Sequence, residues 1–491
     1  MKKLSENCRV VLFLPNTRWF GKRAWMYIPY TALILTAILK NKFNFSIIDA
    51  NANDLSEKAA FEKLKAAKAD IVLLSGLSTE YFQHYQCSAK IAKKANPNCI
   101  TIFGGIFPTI MSDEALNDSN VDYIFIGHAE ERLDIFLNLI IEMNKKKIEA
   151  FSGIGFRDPN GTPRINAVSS YISKVKTLLK PDYSLIDVET YLNQVNTDYN
   201  CTSTTGPSAV LLTSFGCPYN CVFCAARTIG GRGVVFRPAE DVIEEIEYLI
   251  REHGIRNLSF WDECFLSNRT RVEKILNTFI ERNYNLNWKM PNASAWHLDD
   301  TLLELMKRSG CSQITISVES GSPRVLYDII RKKQLKLNSI PRIVRKCREL
   351  GIMMLANFIV GLPGETWDEI RETFRVAENL DFDMVAFHIA TPYPKTDLYA
   401  IAKEQNLLPP DFHFLDSRFW GTSQGFITTD EFTPTELMVL RAYEWDRINF
   451  SSPEKIQKIA LMMNISVEEL NKIRKQTRLN LGVYSPESRN K

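Results

Sequence analysis

Three cysteines stand close together near the middle of the chain, in Ser214-Phe-Gly-Cys217-Pro-Tyr-Asn-Cys221-Val-Phe-Cys224-Ala-Ala-Arg227. The spacing is C-x3-C-x2-C. Gly216 and Pro218 favour a bent loop over a helix, and such a loop can point three thiolates at one centre. Soft thiolates select Fe–S clusters, zinc or copper(I). A structural zinc site wants a fourth protein ligand, but the next candidates lie as far on as His253 and Cys264. Three thiolates on a [4Fe–4S] cluster would leave one iron open. Three chance core cysteines would not account for this spacing.

More groups of the same kind follow apolar runs. Phe260-Trp-Asp262-Glu263-Cys-Phe265 places two carboxylates together. Ile316-Ser317-Val-Glu319-Ser-Gly321 places a hydroxyl and a carboxylate, and a charged Glu at a strand end needs a partner. Asn357-Phe-Ile-Val-Gly361-Leu-Pro-Gly364-Glu365 brings glycines that permit close backbone approach, with a plain Pro-Gly turn as the competing explanation. In Ala390-Thr-Pro-Tyr393-Pro394, Tyr393 is the candidate catalytic residue, although packing explains it as well.

The cysteine motif resembles the signature of the radical S-adenosylmethionine (SAM) superfamily. The resemblance implies an open iron chelated by the amino and carboxylate groups of SAM. One electron from the cluster then cleaves SAM to a 5′-deoxyadenosyl radical. It implies metal ligation by Cys217, Cys221 and Cys224. Phe223 matches the family's aromatic position before the third cysteine. Asp262 and Glu263 resemble the acidic stretch that accepts hydrogen bonds from the SAM ammonium. Ser317 and Glu319 resemble the pair that contacts its methionyl or ribose part. Asn357 to Gly361 resembles the glycine-rich turn beside the adenine.

Elements must hold these groups in place. Strand patterns recur at 208–213, 257–261, 287–290, 313–318, 353–360 and 384–390, with helical patterns such as 241–251, 300–307 and 368–378 between them. Six β/α units predict a partial (β/α)6 barrel, with its chemistry at the carboxyl ends of the strands.

Residues 1–145 also alternate. Unalternated apolar strands at 9–14, 45–49, 71–75, 100–103 and 121–126 are separated by helical patterns at 31–40, 56–67, 80–95, 112–116 and 130–144. This predicts a doubly wound parallel sheet covered on both faces, with its ligand at the strands' carboxyl ends. Ser75, Gly76, Gly104, Gly105 and Gly127 cluster there. No G-x-G-x-x-G follows the first strand, so a dinucleotide is not indicated.

Tyr27-Ile-Pro-Tyr30-Thr, Gly104-Gly105-Ile-Phe-Pro-Thr and Val121-Asp-Tyr-Ile-Phe-Ile-Gly127 resemble the cobalamin-binding domains found ahead of radical enzymes. That implies a Rossmann-like fold and corrin contacts at the five small residues. The family's usual Gly-Glu-Gly-Glu is here Gly127-His-Ala-Glu130. D-x-H-x-x-G is absent and residues 16–25 hold no histidine, so the resemblance implies no such ligand on the lower face of cobalt. His128 reads as a loop histidine without a metal role.

Four segments are expected. These are 1–150 (cobalamin-binding), 151–204 (linker with a hairpin turned at Asp158-Pro-Asn-Gly161), 205–404 (barrel) and 405–491 (a mainly helical, substrate-specific cap). In the last, Asp416 to Gly421 precedes a β-like piece near Phe426. Thr433-Pro-Thr-Glu436 starts a helix to Asn449, and another begins near Ile465. The basic run 472–478 reads as a solvated face.

The bulk properties set limits. In 491 residues, 60 Lys+Arg against 57 Asp+Glu leave a charge of +3, which suggests no nucleic-acid partner. The longest apolar stretch, 31–39, is about half the ~20 residues of a membrane span. No apolar stretch after the basic start reads as a secretion signal. Ten cysteines spread this thinly imply a reducing, cytoplasmic compartment, and Cys8, Cys87, Cys99, Cys201, Cys264, Cys311 and Cys347 read as scattered small core residues.

The resemblance implies a [4Fe–4S] cluster, SAM and cobalamin as cofactors, with an electron donor such as flavodoxin or ferredoxin. The leading expectation is methylation of an unactivated carbon of a small-molecule or natural-product substrate. A radical cyclisation or rearrangement without methylation is the second. A non-catalytic corrin or cluster sensor is the third.

Overall fold

The computed structural model describes residues 8–22, 24–76, 78–168, 178–193, 206–415 and 423–480. Cys201 and the stretch 416–421 lie outside the described residues. The chain divides into two compact units. The first draws on 1–194, 212–218 and 226–253, and the second on 195–211, 219–225 and 254–491. Neither unit is a continuous stretch of the chain.

The first unit runs β1 (Arg9–Leu14), α1 (Tyr30–Leu39), β2 (Asn44–Asp49), α2 (Glu57–Ala67), β3 (Ile71–Leu74), α3 (Phe82–Ala95), β4 (Ile100–Gly104), α4 (Ile106–Ile110), α5 (Ser112–Asn117), β5 (Tyr123–Phe125), α6 (Leu133–Ile141), α7 (Lys145–Glu149), β6 (Ile154–Arg157), β7 (Pro163–Ile165) and α8 (Val188–Leu192). The sheet order is β2-β1-β3-β4-β5-β6-β7. β1 to β5 are parallel and doubly wound, with β3 entirely buried, as unalternated strands require. The helix expected at 130–144 starts three residues later, because Glu131 takes a left-handed φ of 60°. The hairpin expected in the linker forms, with Asp158 N donating to Thr162 O at 2.9 Å. It corrects the sequence reading in one respect. Its strands join the sheet, β6 pairing antiparallel to β5 and β7 to β6.

β8 (Ser208–Leu211) opens the second unit. The chain then returns to the first unit for β9 (Ser214–Phe215), α9 (Ala226–Gly230), β10 (Val235–Phe236) and α10 (Ala239–His253). The second unit continues with β11 (Asn257–Phe260), α11 (Arg269–Glu281), β12 (Asn287–Ala293), α12 (Asp300–Arg308), β13 (Cys311–Glu319), α13 (Ile340–Leu350), β14 (Met353–Val360), α14 (Trp367–Asn379), β15 (Met384–Ile389), α15 (Asp397–Glu404), α16 (Pro434–Asn449), α17 (Pro453–Met463) and α18 (Val467–Asn480). β8, β11, β12, β13, β14 and β15 form one parallel sheet in chain order. This single winding is that of the expected (β/α)6 barrel.

The start signal of α16 is realised as a capping box, in which the Thr433 hydroxyl accepts from Glu436 N and the Glu436 carboxylate accepts from Thr433 N. Phe426 lies in no strand, a second correction. Its ring is buried against Phe412, which accounts for the apolar pattern there without a β ladder. Helix α17 was not expected. Among the described residues no helix is long and apolar enough to cross a membrane.

Candidate active site

The cysteines lie on an irregular loop. Before it, β9 pairs with β10, and Cys217 forms an isolated bridge with Arg232. After it, within the second unit, Val222 N donates to Ile330 O at 3.2 Å and Val222 O accepts from Leu398 N at 2.9 Å. Cys217 and Cys221 are half-buried and Cys224 is exposed, none of them in a disulfide. Phe223 is half-buried. The other described cysteines differ from these. Burial pushes the thiol of Cys99 to about 11 and that of Cys347 to about 12, so they stay protonated and are poor ligands. Cys87, half-buried on α3, is not the core residue expected. Among the described residues no group of three or more His, Cys, Asp or Glu is close enough to hold a metal ion. The fit to a cluster is therefore one of donor chemistry: three accessible thiols on a loop free of helical constraint.

The barrel face can be read from register. The Phe358 and Phe387 rings lie 5.5 Å apart at a tilt of 32°, and Phe387 meets Phe374 of α14 at 4.7 Å. That face therefore meets the helices. The alternate residues point inward. Ser317 pairs with Asn357 and Asn357 with Ala386, so Ser317 and Asn357 share the inner face. Both are half-buried. Asp262 is fully buried, whereas its neighbour Glu263 is exposed. Tyr393 is half-buried in the turn after β15, and its carbonyl accepts from the Thr396 hydroxyl at 2.6 Å.

Glu319 has the partner its charge demands. A register shift in β13 and a left-handed φ of 72° turn it toward Lys332. The Lys332 ammonium donates to Glu319 Oε1 at 2.8 Å and to Ser317 O at 2.7 Å, and both side chains are nearly buried. The ammonium also lies 5.5 Å from the Trp296 ring centre. Trp296 in turn donates to the hydroxyl of Tyr219, on the cysteine loop, at 2.9 Å. Sequence reasoning missed Lys332, which lies in a polar stretch with nothing local to distinguish it.

It also missed His388. This residue stands on the inner face of β15, two residues beyond Ala386. Its Nδ1 is buried with no hydrogen-bond partner among the described residues. Burial holds its imidazole below the usual histidine range, against an opposing pull from Glu319.

The turn after β14 is shaped by Glu365. Its Oε2 accepts from Gly361 N at 2.7 Å and Leu362 N at 3.0 Å, and Gly361 takes a φ of 86°. Glu365 is fully buried, and burial pushes its carboxyl up to about 8 despite those two N–H donors. Between its ordinary range and 8, the folded protein thus holds a proton that the unfolded chain releases. Stability falls as pH rises through that window. Glu365→Gln keeps an acceptor for both N–H groups and removes the titration. We expect its melting temperature to decline less than that of the wild type between about pH 5 and pH 9; parallel declines in a thermal-shift series would refute this.

The carboxyl edge of the first sheet carries Ser75, Gly76, Gly104, Gly105 and Gly127 where the sequence placed them. A Cβ on Gly105 would stand 3.0 Å from Ser75 Oγ, and one on Gly76 would stand 2.7 Å from Leu14. Thr109 ties two of the loops, accepting from Gly127 N at 2.9 Å and donating to Gly105 O at 2.7 Å. Phe20, in the loop after β1, and Ile106, beside Gly105, are exposed. An edge made mostly of glycine backbone, flanked by exposed apolar groups, fits a broad, flat macrocycle. Helix α4, which starts at this edge, packs against α9, the helix that follows the cysteine loop.

Two histidines approach this region. His84 is fully buried, its Nε2 is 3.3 Å from Thr17 O, and Trp19, Phe20 and Tyr81 enclose its ring. His128, read from the sequence as a loop histidine without a metal role, lies in the loop after β5 with its side chain nearly buried and its Nδ1 3.3 Å from Glu130.

Comparison with known proteins gives two domain matches. Residues 22–137 match the B12 binding domain and residues 211–377 match the radical SAM superfamily. The chain is 29% identical over 404 residues to an uncharacterized methyltransferase of Pyrococcus horikoshii, covering 82% of this chain and 84% of that protein. It is 26% identical over 361 residues to the anaerobic magnesium-protoporphyrin IX monomethyl ester cyclase of Rubrivivax gelatinosus, covering 72% of this chain and 62% of that one. Among solved structures, the radical SAM methyltransferase TsrM from Kitasatospora setae, with cobalamin and a [4Fe–4S] cluster bound, shares the fold. Its TM-score is 0.65 at 18% identity, covering 81% of this chain and 75% of that one.

Proposed function

We infer the reaction from one premise: this chain belongs to the cobalamin-dependent radical SAM enzymes, with a [4Fe–4S] cluster, SAM and cobalamin as its cofactors. We propose that it methylates an unactivated carbon of a small molecule. When bound, the cluster and SAM supply a 5′-deoxyadenosyl radical and cobalamin supplies a transferable methyl group.

The observation that carries this reading is the packing of α4 against α9. It brings the glycine edge suited to a corrin beside the helix leaving the cysteine loop. A methyl donor has to stand near the site of hydrogen abstraction, because a carbon radical must be captured before it reacts elsewhere.

The proposed roles join the family resemblance to the places these residues take in the fold. Cys217, Cys221 and Cys224 hold the cluster, with Phe223 beside them. Buried Asp262 receives the SAM ammonium, a carboxylate facing a cation. Exposed Glu263 is the weaker partner of the two. Ser317, Glu319, Asn357 and Gly361 receive the rest of SAM, and Lys332 fixes Glu319. Ser75, Gly76, Gly104, Gly105 and Gly127 line the corrin edge. Tyr393 and His388 are candidates to face substrate. We retain 1–150, 151–204, 205–404 and 405–491 as functional segments, with specificity in the last. A cytoplasmic setting and a flavodoxin- or ferredoxin-type donor complete the proposal.

The similarity to a cyclase favours one second reading, radical cyclisation without methyl transfer. Anaerobic turnover with methyl-deuterated SAM and fractionated small-molecule extracts separates the two. Methylation predicts a deuterated methyl group in a product, with S-adenosylhomocysteine formed alongside 5′-deoxyadenosine. Product and 5′-deoxyadenosine without S-adenosylhomocysteine would favour cyclisation.

A further inference from the structure

The stem of the cysteine loop ends in a buried polar network that the proposed chemistry does not use. Arg237, directly after β10, is fully buried. Its guanidinium donates to the Glu245 carboxylate of α10, to the Tyr30 hydroxyl at 3.1 Å, to Leu212 O at 3.4 Å and to Asp241 O at 3.3 Å. The Tyr30 hydroxyl itself donates to Leu212 O at 2.8 Å, and Tyr183 donates to Glu245 at 2.5 Å. Arg237 N donates to Thr213 O at 2.9 Å, closing the neck of the loop just outside the β9–β10 pair. The Tyr30 and Phe215 rings are 6.0 Å apart. All these residues belong to the first unit.

A buried guanidinium is retained only when paired and hydrogen-bonded on several sides. Burial alone would ease its proton off, and Glu245 with the nearby phenols more than reverses that. Each partner comes from a different part of the chain: the start of α1, the segment before α8, the stretch before β9, and α10. Tyr30 opens the helix that begins on the cobalamin-binding side.

We propose that Tyr30, Tyr183, Arg237 and Glu245 are positioning residues for the cluster loop, fixing both ends of its stem against the first helix of the cobalamin-binding fold. The inference rests on the cluster reading of Cys217, Cys221 and Cys224. None of the four touches the cluster in this assignment; they act through the backbone of 212–217 and 232–237.

Two variants of the full chain test this. Tyr30→Phe removes one hydroxyl and keeps the ring. Glu245→Gln keeps the shape and removes the charge opposite Arg237. Thr373→Val, in the second unit, serves as a control that breaks a buried bond to Gly321 N. Hydrogen exchange needs no bound cofactor. Tyr30→Phe should speed exchange of amides in 212–217 and 232–237 by about fivefold, the effect of losing one hydrogen bond, and Glu245→Gln by more. Exchange in 311–319 should stay at wild-type rates. In anaerobically reconstituted protein, both variants should lose iron in air faster than wild type and the control. The EPR signal of the reduced cluster should also change less on adding SAM.

Unchanged exchange in the stem would overturn the proposal. So would acceleration spread evenly over the chain, or EPR and iron-loss behaviour shared with the control. If the wild type bound no four-iron cluster, the cluster reading would fail instead, a result the exchange data would not imitate.

Discussion

Replacing Cys217, Cys221 or Cys224 singly by Ala is expected to empty the cluster and end reductive SAM cleavage. Loss of a group that merely orients a metal ligand already costs about 10- to 100-fold, so loss of a ligand should exceed about a hundredfold in 5′-deoxyadenosine formation. Iron and sulfide content and the visible absorption of anaerobically purified protein give the direct check. Cys347→Ala is the control, because its thiol is buried and held protonated. Full iron in any of the three loop variants, or loss of iron in the control, would remove the basis for the assignment. Corrin uptake should persist in all four, since Ser75, Gly76, Gly104, Gly105 and Gly127 are untouched.

Lys332→Met carries the second large effect. Lys332 and Glu319 are nearly buried together. Removing the cation leaves a carboxylate in the protein interior without its partner, at an expected loss of about 3–5 kcal/mol. The left-handed backbone at Glu319 adds strain that Lys332 helps to hold, because it also bonds Ser317 O. Denaturant unfolding should show the loss. The double variant Glu319→Gln with Lys332→Met should recover most of it, since no unpaired charge then remains. SAM affinity by equilibrium dialysis should fall in the single variant and stay low in the double one. A single variant as stable as wild type would show that the pair contributes nothing.

These cases also mark what the sequence could say. The cysteine loop was legible because its chemistry is local: three thiols, a glycine and a proline within a few residues. The sheets were legible for a similar reason, since unalternated apolar runs such as Ile71–Leu74 carry their burial with them. Lys332 was not, because its significance lies in Glu319, reached only after β13 shifts register. His388 was hidden in an ordinary strand, and only pairing with β14 shows which face it occupies. The hairpin at 154–165 was seen, but not its attachment to β5, because no local pattern states which edge a strand will join. Arg237 and Tyr30 lie far apart in sequence, and nothing near either announces the other.

The first unit's interrupted path through the chain bears on how such an enzyme can be taken apart or recombined. A fragment ending at Asn193 keeps Tyr30 and Tyr183 but loses Leu212, Arg237 and Glu245, to which their hydroxyls are bonded. The corrin-binding part is therefore not a cassette to be cut at a single joint and moved between proteins. During synthesis, at about 5–20 residues per second, its final helix emerges well after its first strands. For that interval the hydroxyls of Tyr30 and Tyr183 still await Leu212 and Glu245, which arrive with the segment that brings the cysteines.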